Sequence, residues 1–178
     1  MADKQEFFNE AKKISETNGY DPLIILTHAW YETAGFSKVI GQNNYFGLKT
    51  PLKTKWDGLT VVVSTKEQEK IINNETAQQA IIRLKSKYSA QIDGINKAIN
   101  GKAWIITLKQ TFRDWNKLNE AIKYYCDFIK VNYCKAYLNR KDYAVYFKSL
   151  VDGKIKYGTD MSYANECINL YRSLKKWN

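Results

Sequence analysis

Apolar positions recur at threes and fours over most of the chain, and short β-branched runs occupy little of it. Phe7, Ala11 and Ile14 predict an amphipathic helix over residues 3–17, stopped by Asn18-Gly19. Asp21-Pro22 opens a second helix over residues 22–34, because proline presets the first helical φ and aspartate accepts from the free N–H groups; Gly35 ends it. Its body, Leu23, Ile24, Ile25, Leu26, Ala29 and Trp30, is apolar nearly all round. From Leu59 to Thr65 the run Leu-Thr-Val-Val-Val-Ser-Thr is β-branched and too short for a helix. With Asp57-Gly58 before it, it predicts a strand that forms one arm of a small hairpin. Ala80, Ile81, Leu84, Tyr88 and Ile92 predict a helix over 77–98, weakly interrupted at Gly94. Asn100-Gly101 then turns into Ala103-Trp104-Ile105-Ile106, the expected second arm. Three more helical patterns follow: Leu118 to Phe128, Tyr143 to Leu150 ended by Asp152-Gly153, and Ala164 to Leu174. The pattern as a whole is α+β and mainly α.

With 178 residues and 44% hydrophobic composition, the chain is long enough for a real core and reads as one domain. Its formal charge of +10 directs attention to a polyanionic partner: nucleic acid, an anionic membrane or an acidic cell wall. The 28 basic residues are scattered, and only Arg83, Arg113, Arg140 and Arg172 are arginines, which argues against base-specific reading of DNA by bidentate arginine. No specific nucleic-acid partner is therefore expected. No stretch approaches the ~20 apolar residues of a membrane span, and the N-terminus lacks the apolar run of a signal peptide. The expectation is a protein made in the cytoplasm that needs help to reach a wall. Cys126, Cys134 and Cys167 are odd in number and show no metal spacing, so they read as reduced thiols. Thirteen tyrosines, five tryptophans and seven phenylalanines supply core packing first and faces for sugar rings second.

Glu32 is the acid that closes the second helix. A carboxylate at the end of so apolar a segment is open to desolvation, which favours the protonated form and suits a general acid. From the helix alone, a solvated residue at a helix end is an equal reading. His28 lies four residues before it on the same helix face, a spacing that zinc hydrolases use. It is the one histidine in the chain, so no metal or other cofactor is expected, and His28 reads as a packed or hydrogen-bonded neighbour of Glu32.

After Glu32 come Ser37 and then Asn43-Asn44-Tyr45-Phe46-Gly47-Leu48-Lys49. This combination resembles the peptidoglycan glucosaminidases of glycoside hydrolase family 73, a family that includes autolysins, flagellar muramidase-like domains and phage lysins. Three further stretches extend the resemblance: Thr65-Lys66-Glu67, Phe112-Arg113-Asp114-Trp115, and Tyr157-Gly158-Thr159-Asp160-Met161-Ser162-Tyr163-Ala164. In the last, Lys156, Gly158 and Met161 stand where the family has glycine, alanine and proline. The resemblance implies a lysozyme-like helical domain with a small β-hairpin lobe flanking the cleft, and, because the family's connection between the two expected strands is much shorter, a helical insertion near residues 70–102. It implies Glu32 as the catalytic acid, Glu67 as the second active-site carboxylate and Tyr157 as a tyrosine lining the cleft. Asn44, Tyr45 and Phe46 are then expected to shape sugar subsites, Arg113 to brace a loop, and Thr159 or Asp160 to cap the last helix. Read without the resemblance, Glu67 is a surface acid in a Lys/Glu-rich turn, with Glu69 as a nearby competitor.

The implied activity is endo-β-N-acetylglucosaminidase cleavage of the bacterial peptidoglycan glycan strand, by a phage lysin or an autolysin. Muramidase-type cleavage of the same polymer is one alternative. A basic wall- or nucleic-acid-binding module without catalysis is the other, and loss of activity without loss of binding on removal of Glu32 distinguishes it.

Overall fold

A computed structural model of the chain describes residues 2–50, 56–88, 91–153, 155–157 and 162–176. They form two compact units, the first made of residues 1–48 and 114–178 and the second of residues 49–113. Elements run α1 (Lys4–Asn18), α2 (Pro22–Glu32), β1 (Leu59–Lys70), α3 (Ala77–Tyr88), β2 (Ile92–Lys97), β3 (Ala103–Asp114), α4 (Leu118–Asn132), α5 (Cys134–Leu138), α6 (Tyr143–Val151) and α7 (Ser162–Lys175). The architecture is α+β and mainly α, as the periodicity predicts.

In the first unit, local signals set the starts of the helices. The Asp3 carboxylate accepts from Glu6 N at 2.8 Å to cap α1, and that of Asp21 accepts from Leu23 N at 2.9 Å to cap α2. Asp142 accepts from Ala144 N and Val145 N at the start of α6. Every residue of α2 from Leu23 to Ala29 is buried, so this helix is the axis around which α1 and α7 pack. It stops at Glu32, short of the expected Ala34. Thr33 Oγ1 donates back to Ala29 O at 2.6 Å and accepts from Phe36 N at 3.0 Å. Ala34, Gly35 and Phe36 then take left-handed φ values of 48°, 72° and 68°. Two non-glycine residues in that region cost about 1 kcal/mol each or more, offset here by Phe36 burying its ring against Phe7, Trp30 and Tyr45.

In the second unit the expected hairpin is a three-stranded sheet in the order β1-β3-β2. The helix expected over 77–98 ends at Tyr88, and Ile92–Lys97 is a strand, antiparallel to β3 with Ile95 opposite Ile106 and Lys97 opposite Trp104. Ile92 and Ile95 suit a helix face by spacing, but they are β-branched and straddle Gly94, where the register shifts. Once β3 offers an edge, the ladder outweighs a helix that Gly94 already weakens. Ala80 and Leu84 of α3 bury against Trp104, Ile106 and Leu108 of β3, so α3 lies on one face of the sheet. The Arg83 guanidinium holds the Glu75 carboxyl down to about 2, and Trp104 Nε1 donates to the same carboxylate at 3.3 Å. No described helix is long and apolar enough to cross a membrane.

Candidate active site

Glu32 is the last residue of α2, where a helix that is otherwise inside the core reaches the surface; its side chain keeps 22% of its exposure. Its Oε1 accepts a 2.6 Å hydrogen bond from the Tyr163 hydroxyl at the start of α7. Its Oε2 faces Gly47: a Cβ built there would stand 3.8 Å from that oxygen. Gly47 has φ +62°, a conformation that a side chain would strain, so the residue opposite Oε2 is required to be small.

One turn back on α2 is His28, fully buried. Its Nε2 lies 2.5 Å from the Tyr163 hydroxyl, its Nδ1 is hydrogen-bonded to the Tyr125 hydroxyl, and Tyr125 is in turn 2.6 Å from the Tyr146 hydroxyl. A continuous polar chain therefore runs from Glu32 through Tyr163, His28 and Tyr125 to Tyr146 inside an aromatic core. Burial pushes the hydroxyls of Tyr125, Tyr146 and Tyr163 well above the usual phenol range, and for Tyr163 the Glu32 charge adds to it. They stay protonated donors across the physiological range. Both His28 ring nitrogens are taken by tyrosines, which leaves neither facing a metal ion.

Tyr157 is partly buried. Its hydroxyl donates to Phe46 O at 2.7 Å and its ring stands 4.4 Å from that of His28. Burial, followed by the charge of Glu32, raises its hydroxyl well above the phenol range. The structure thus brings Tyr157 to the Glu32 neighbourhood, with its hydroxyl bracing the turn that carries Gly47. The expected caps Thr159 and Asp160 lie outside the described residues.

Asn44, Tyr45 and Phe46 require a correction. All three side chains are in the core, at 0%, 0% and 1% exposure, so none is presented to a sugar as expected. Asn44 closes the turn with both ends of its amide, Nδ2 donating to Leu48 O and Oδ1 accepting from Leu48 N, each at 3.0 Å. Phe46 stacks on Tyr125 at 3.8 Å, and Tyr45 packs between Phe7 and Phe36. An Asn-aromatic-aromatic-Gly run can line a pocket or fold a loop; here burial of two large rings outweighs their exposure, and the motif's product is the position of Gly47.

Asp114 is a residue whose part the sequence reading missed. Its carboxylate accepts from Gln42 N, Asn43 N and Trp115 N, each at 2.9 Å, and ties the turn before Asn44 in place. The bracing expected of Arg113 falls on the next residue, while the Arg113 guanidinium lies 4.8 Å over the Trp56 ring. Tyr163 likewise enters the sequence reading only as part of the motif from Tyr157 to Ala164, with the tyrosine role assigned to Tyr157. His28 at four residues from Glu32 was the one signal that pointed toward the chain of hydroxyls.

In the second unit, Glu67 lies on the partly buried face of β1 together with Val61, Val63, Thr65 and Glu69. Glu69 is committed to α3. Burial alone would raise its carboxyl, but hydrogen bonds from Lys87 and Tyr88 hold it below the usual range. Glu67 has no ion pair or hydrogen bond among the described residues. Of the two candidates, Glu67 is the one left available for chemistry.

A family model described as mannosyl-glycoprotein endo-β-N-acetylglucosaminidase, the glucosaminidase model, matches residues 8–176. The chain belongs to the glucosaminidase family. This glucosaminidase is a glycoside hydrolase, and its fold recurs in solved structures of low sequence identity. A mutant of the peptidoglycan hydrolase from Sphingomonas sp. A1 aligns with a TM-score of 0.61 and 19% identity over 95% of this chain and 92% of that one. The glycoside hydrolase domain of Salmonella typhimurium FlgJ, C-terminally truncated, aligns at 0.59 and 21% over 98% and 99%. The catalytic domain of the autolysin Auto from Listeria monocytogenes aligns at 0.60 and 15% over 98% and 87%. Among curated protein sequences there is no match.

Proposed function

We propose that this glucosaminidase cleaves the β-1,4 glycosidic bonds of the bacterial cell-wall glycan as an endo-β-N-acetylglucosaminidase, with Glu32 as the proton donor. The observation that carries the assignment is the asymmetric setting of Glu32, with one oxygen held by Tyr163 and the other open beside Gly47. A general acid must present one oxygen to the leaving group while the rest of the carboxyl is held still. Membership of the glucosaminidase family supports the bond type. The peptidoglycan hydrolase and autolysin among the structural relatives support the polymer. A charge of +10 suits retention on an anionic wall.

Glu67 is the proposed second carboxylate, acting as a base on water or as a stabiliser of the oxocarbenium-like transition state. Its availability, against the commitment of Glu69 to Lys87 and Tyr88, favours it. Tyr157 contributes a wall of the site beside Glu32.

The test is Glu32→Gln on purified peptidoglycan, followed by turbidity and by mass spectrometry of the released fragments. Loss of about 100-fold or more in rate with an unchanged melting temperature is expected, since the amide fits but has no acidic proton. Wild-type fragments with a reducing N-acetylglucosamine end support the reading, and a reducing N-acetylmuramic acid end would make the enzyme a muramidase instead. The finer proposal is a bacteriolytic lysin of the phage type, for which purified protein should clear membrane-permeabilised bacteria. A protein that digests isolated walls and leaves such cells intact is no lysin.

A further inference from the structure

The buried chain that ends on Glu32 does more than fill the core, and its polarity follows from counting protons. Each tyrosine hydroxyl has one proton to donate. Tyr163 gives its proton to Glu32 Oε1, so the 2.5 Å contact between Tyr163 and His28 needs His28 Nε2 as the donor. In the neutral ring Nδ1 is then an acceptor, which receives the proton of Tyr125, and Tyr125 receives that of Tyr146. All four bonds point the same way, toward Glu32. When Glu32 carries its own proton, the oxygen that accepts from Tyr163 is favoured as the carbonyl oxygen, the better acceptor of the two, and the acid proton is favoured on Oε2. That is the oxygen facing Gly47. Run in the opposite direction, the same chain would draw the acid proton inward to Tyr163, away from any substrate.

The chain is not a route for protons from water. Tyr146 is fully buried, as are Tyr125 and His28, and the Tyr146 end meets the Phe147 and Tyr20 rings. What such a chain supplies is orientation: one oxygen fixed, the proton confined to the other, and each donor polarised by the next.

We propose that His28 is a positioning residue that acts through Tyr163 to hold Glu32 Oε1 and so confine the acid proton to Oε2. The proposal rests on Glu32 being the acid; the two fail differently, because an active Glu32→Gln enzyme removes the acid, whereas the variants below leave Glu32 in place. Tyr163 and His28 are in series, so their losses should not add. Among the described residues, the groups around Glu32 are His28 and Tyr31 on its own helix, Tyr163 and Cys167 on α7, and Tyr157.

The experiment measures kcat and apparent KM on purified peptidoglycan for Tyr163→Phe, His28→Leu, their double variant, His28→Gln and His28→Asn, with a thermal melt of each. Tyr163→Phe removes one oxygen without changing shape. It is expected to lower kcat by about 10- to 100-fold with KM within about twofold, the scale of a misplaced catalytic group. His28→Leu should match it, and the double variant should be no slower than either. His28→Gln places an amide donor near the Nε2 position and should recover to within about fivefold of wild type, while His28→Asn reaches only the Nδ1 side and should not. A role confined to stability predicts the two amides to behave alike. Tyr163→Phe with wild-type kcat overturns the proposal, as do losses that multiply in the double variant. If His28→Leu does not fold, the comparison of Gln with Asn and the Tyr163→Phe result still decide.

Discussion

Asp114→Asn probes the turn that delivers Gly47 to Glu32. The wild-type carboxylate, 6% exposed, accepts three backbone N–H groups at 2.9 Å, two on Oδ1 and one on Oδ2. In asparagine, Oδ1 keeps Asn43 N and Trp115 N as neutral bonds, but the amide nitrogen faces Gln42 N donor against donor. Hydrogen bonds to charged groups contribute roughly 1.5–3 kcal/mol and neutral ones about 1; with the charged ones at about 2, losing one and weakening two by about 0.5–1 each costs about 3–4 kcal/mol. For a chain of this size each kcal/mol moves Tm by about 2–4 °C, which predicts a fall of roughly 6–16 °C. Urea unfolding followed by circular dichroism gives the free energy, with an unchanged m-value confirming that the denatured state is not the cause. Gly41→Ala attacks the same contact from the other side. Its methyl would stand 2.3 Å from Asp114 Oδ2 on backbone at φ +63°, so it should destabilise alone and combine less than additively with Asp114→Asn. A loss below about 1 kcal/mol for Asp114→Asn, or strict additivity in the pair, would refute the claim that this carboxylate holds the turn.

Further expectations concern separate parts of the molecule. Glu67→Gln should lower turnover on purified peptidoglycan and leave the melting curve unchanged, whereas Glu69→Gln should lower Tm and spare turnover; the reverse pattern would exchange their roles. Tyr125, Tyr146, Tyr157 and Tyr163 have hydroxyls raised well above the phenol range by burial. Since the folded state keeps protons that the unfolded state loses, their contribution is complete below about pH 10 and is lost as pH rises beyond it, by up to tenfold in the folding constant per group per pH unit. Ultraviolet titration should show these phenols ionising only together with unfolding, and their titration in the folded protein would contradict the buried chain. Among the thiols, Cys134 is exposed, while burial raises Cys126 to about 12 and Cys167 higher still. Native alkylation should therefore modify Cys134 rapidly and the other two only after denaturation.

Local chemistry written in consecutive residues was enough for much of this protein. Asp3, Asp21-Pro22 and Asp142 are helix starts whose capping geometry needs no distant partner, and the apolar stripe of α7 reads directly from its threes and fours. The motif around Glu32 and Gly47 was legible for the same reason, since a helix end and a glycine turn are short-range features. What a segment pairs with is a long-range matter. Ile92–Lys97 is a strand because β3 offers it a partner, and no count of its own residues contains β3. Asn44, Tyr45 and Phe46 have the same composition as residues that line a pocket or fold a loop, and only the presence of Phe7, Phe36 and Tyr125 around them turns their side chains inward. The links from Asp114 to Gln42 and from Tyr163 to Glu32 cross 72 and 131 residues of chain, where sequence spacing carries no geometric information. The sequence therefore singled out Glu32, and the tertiary structure decided which of its two oxygens is held and which is open.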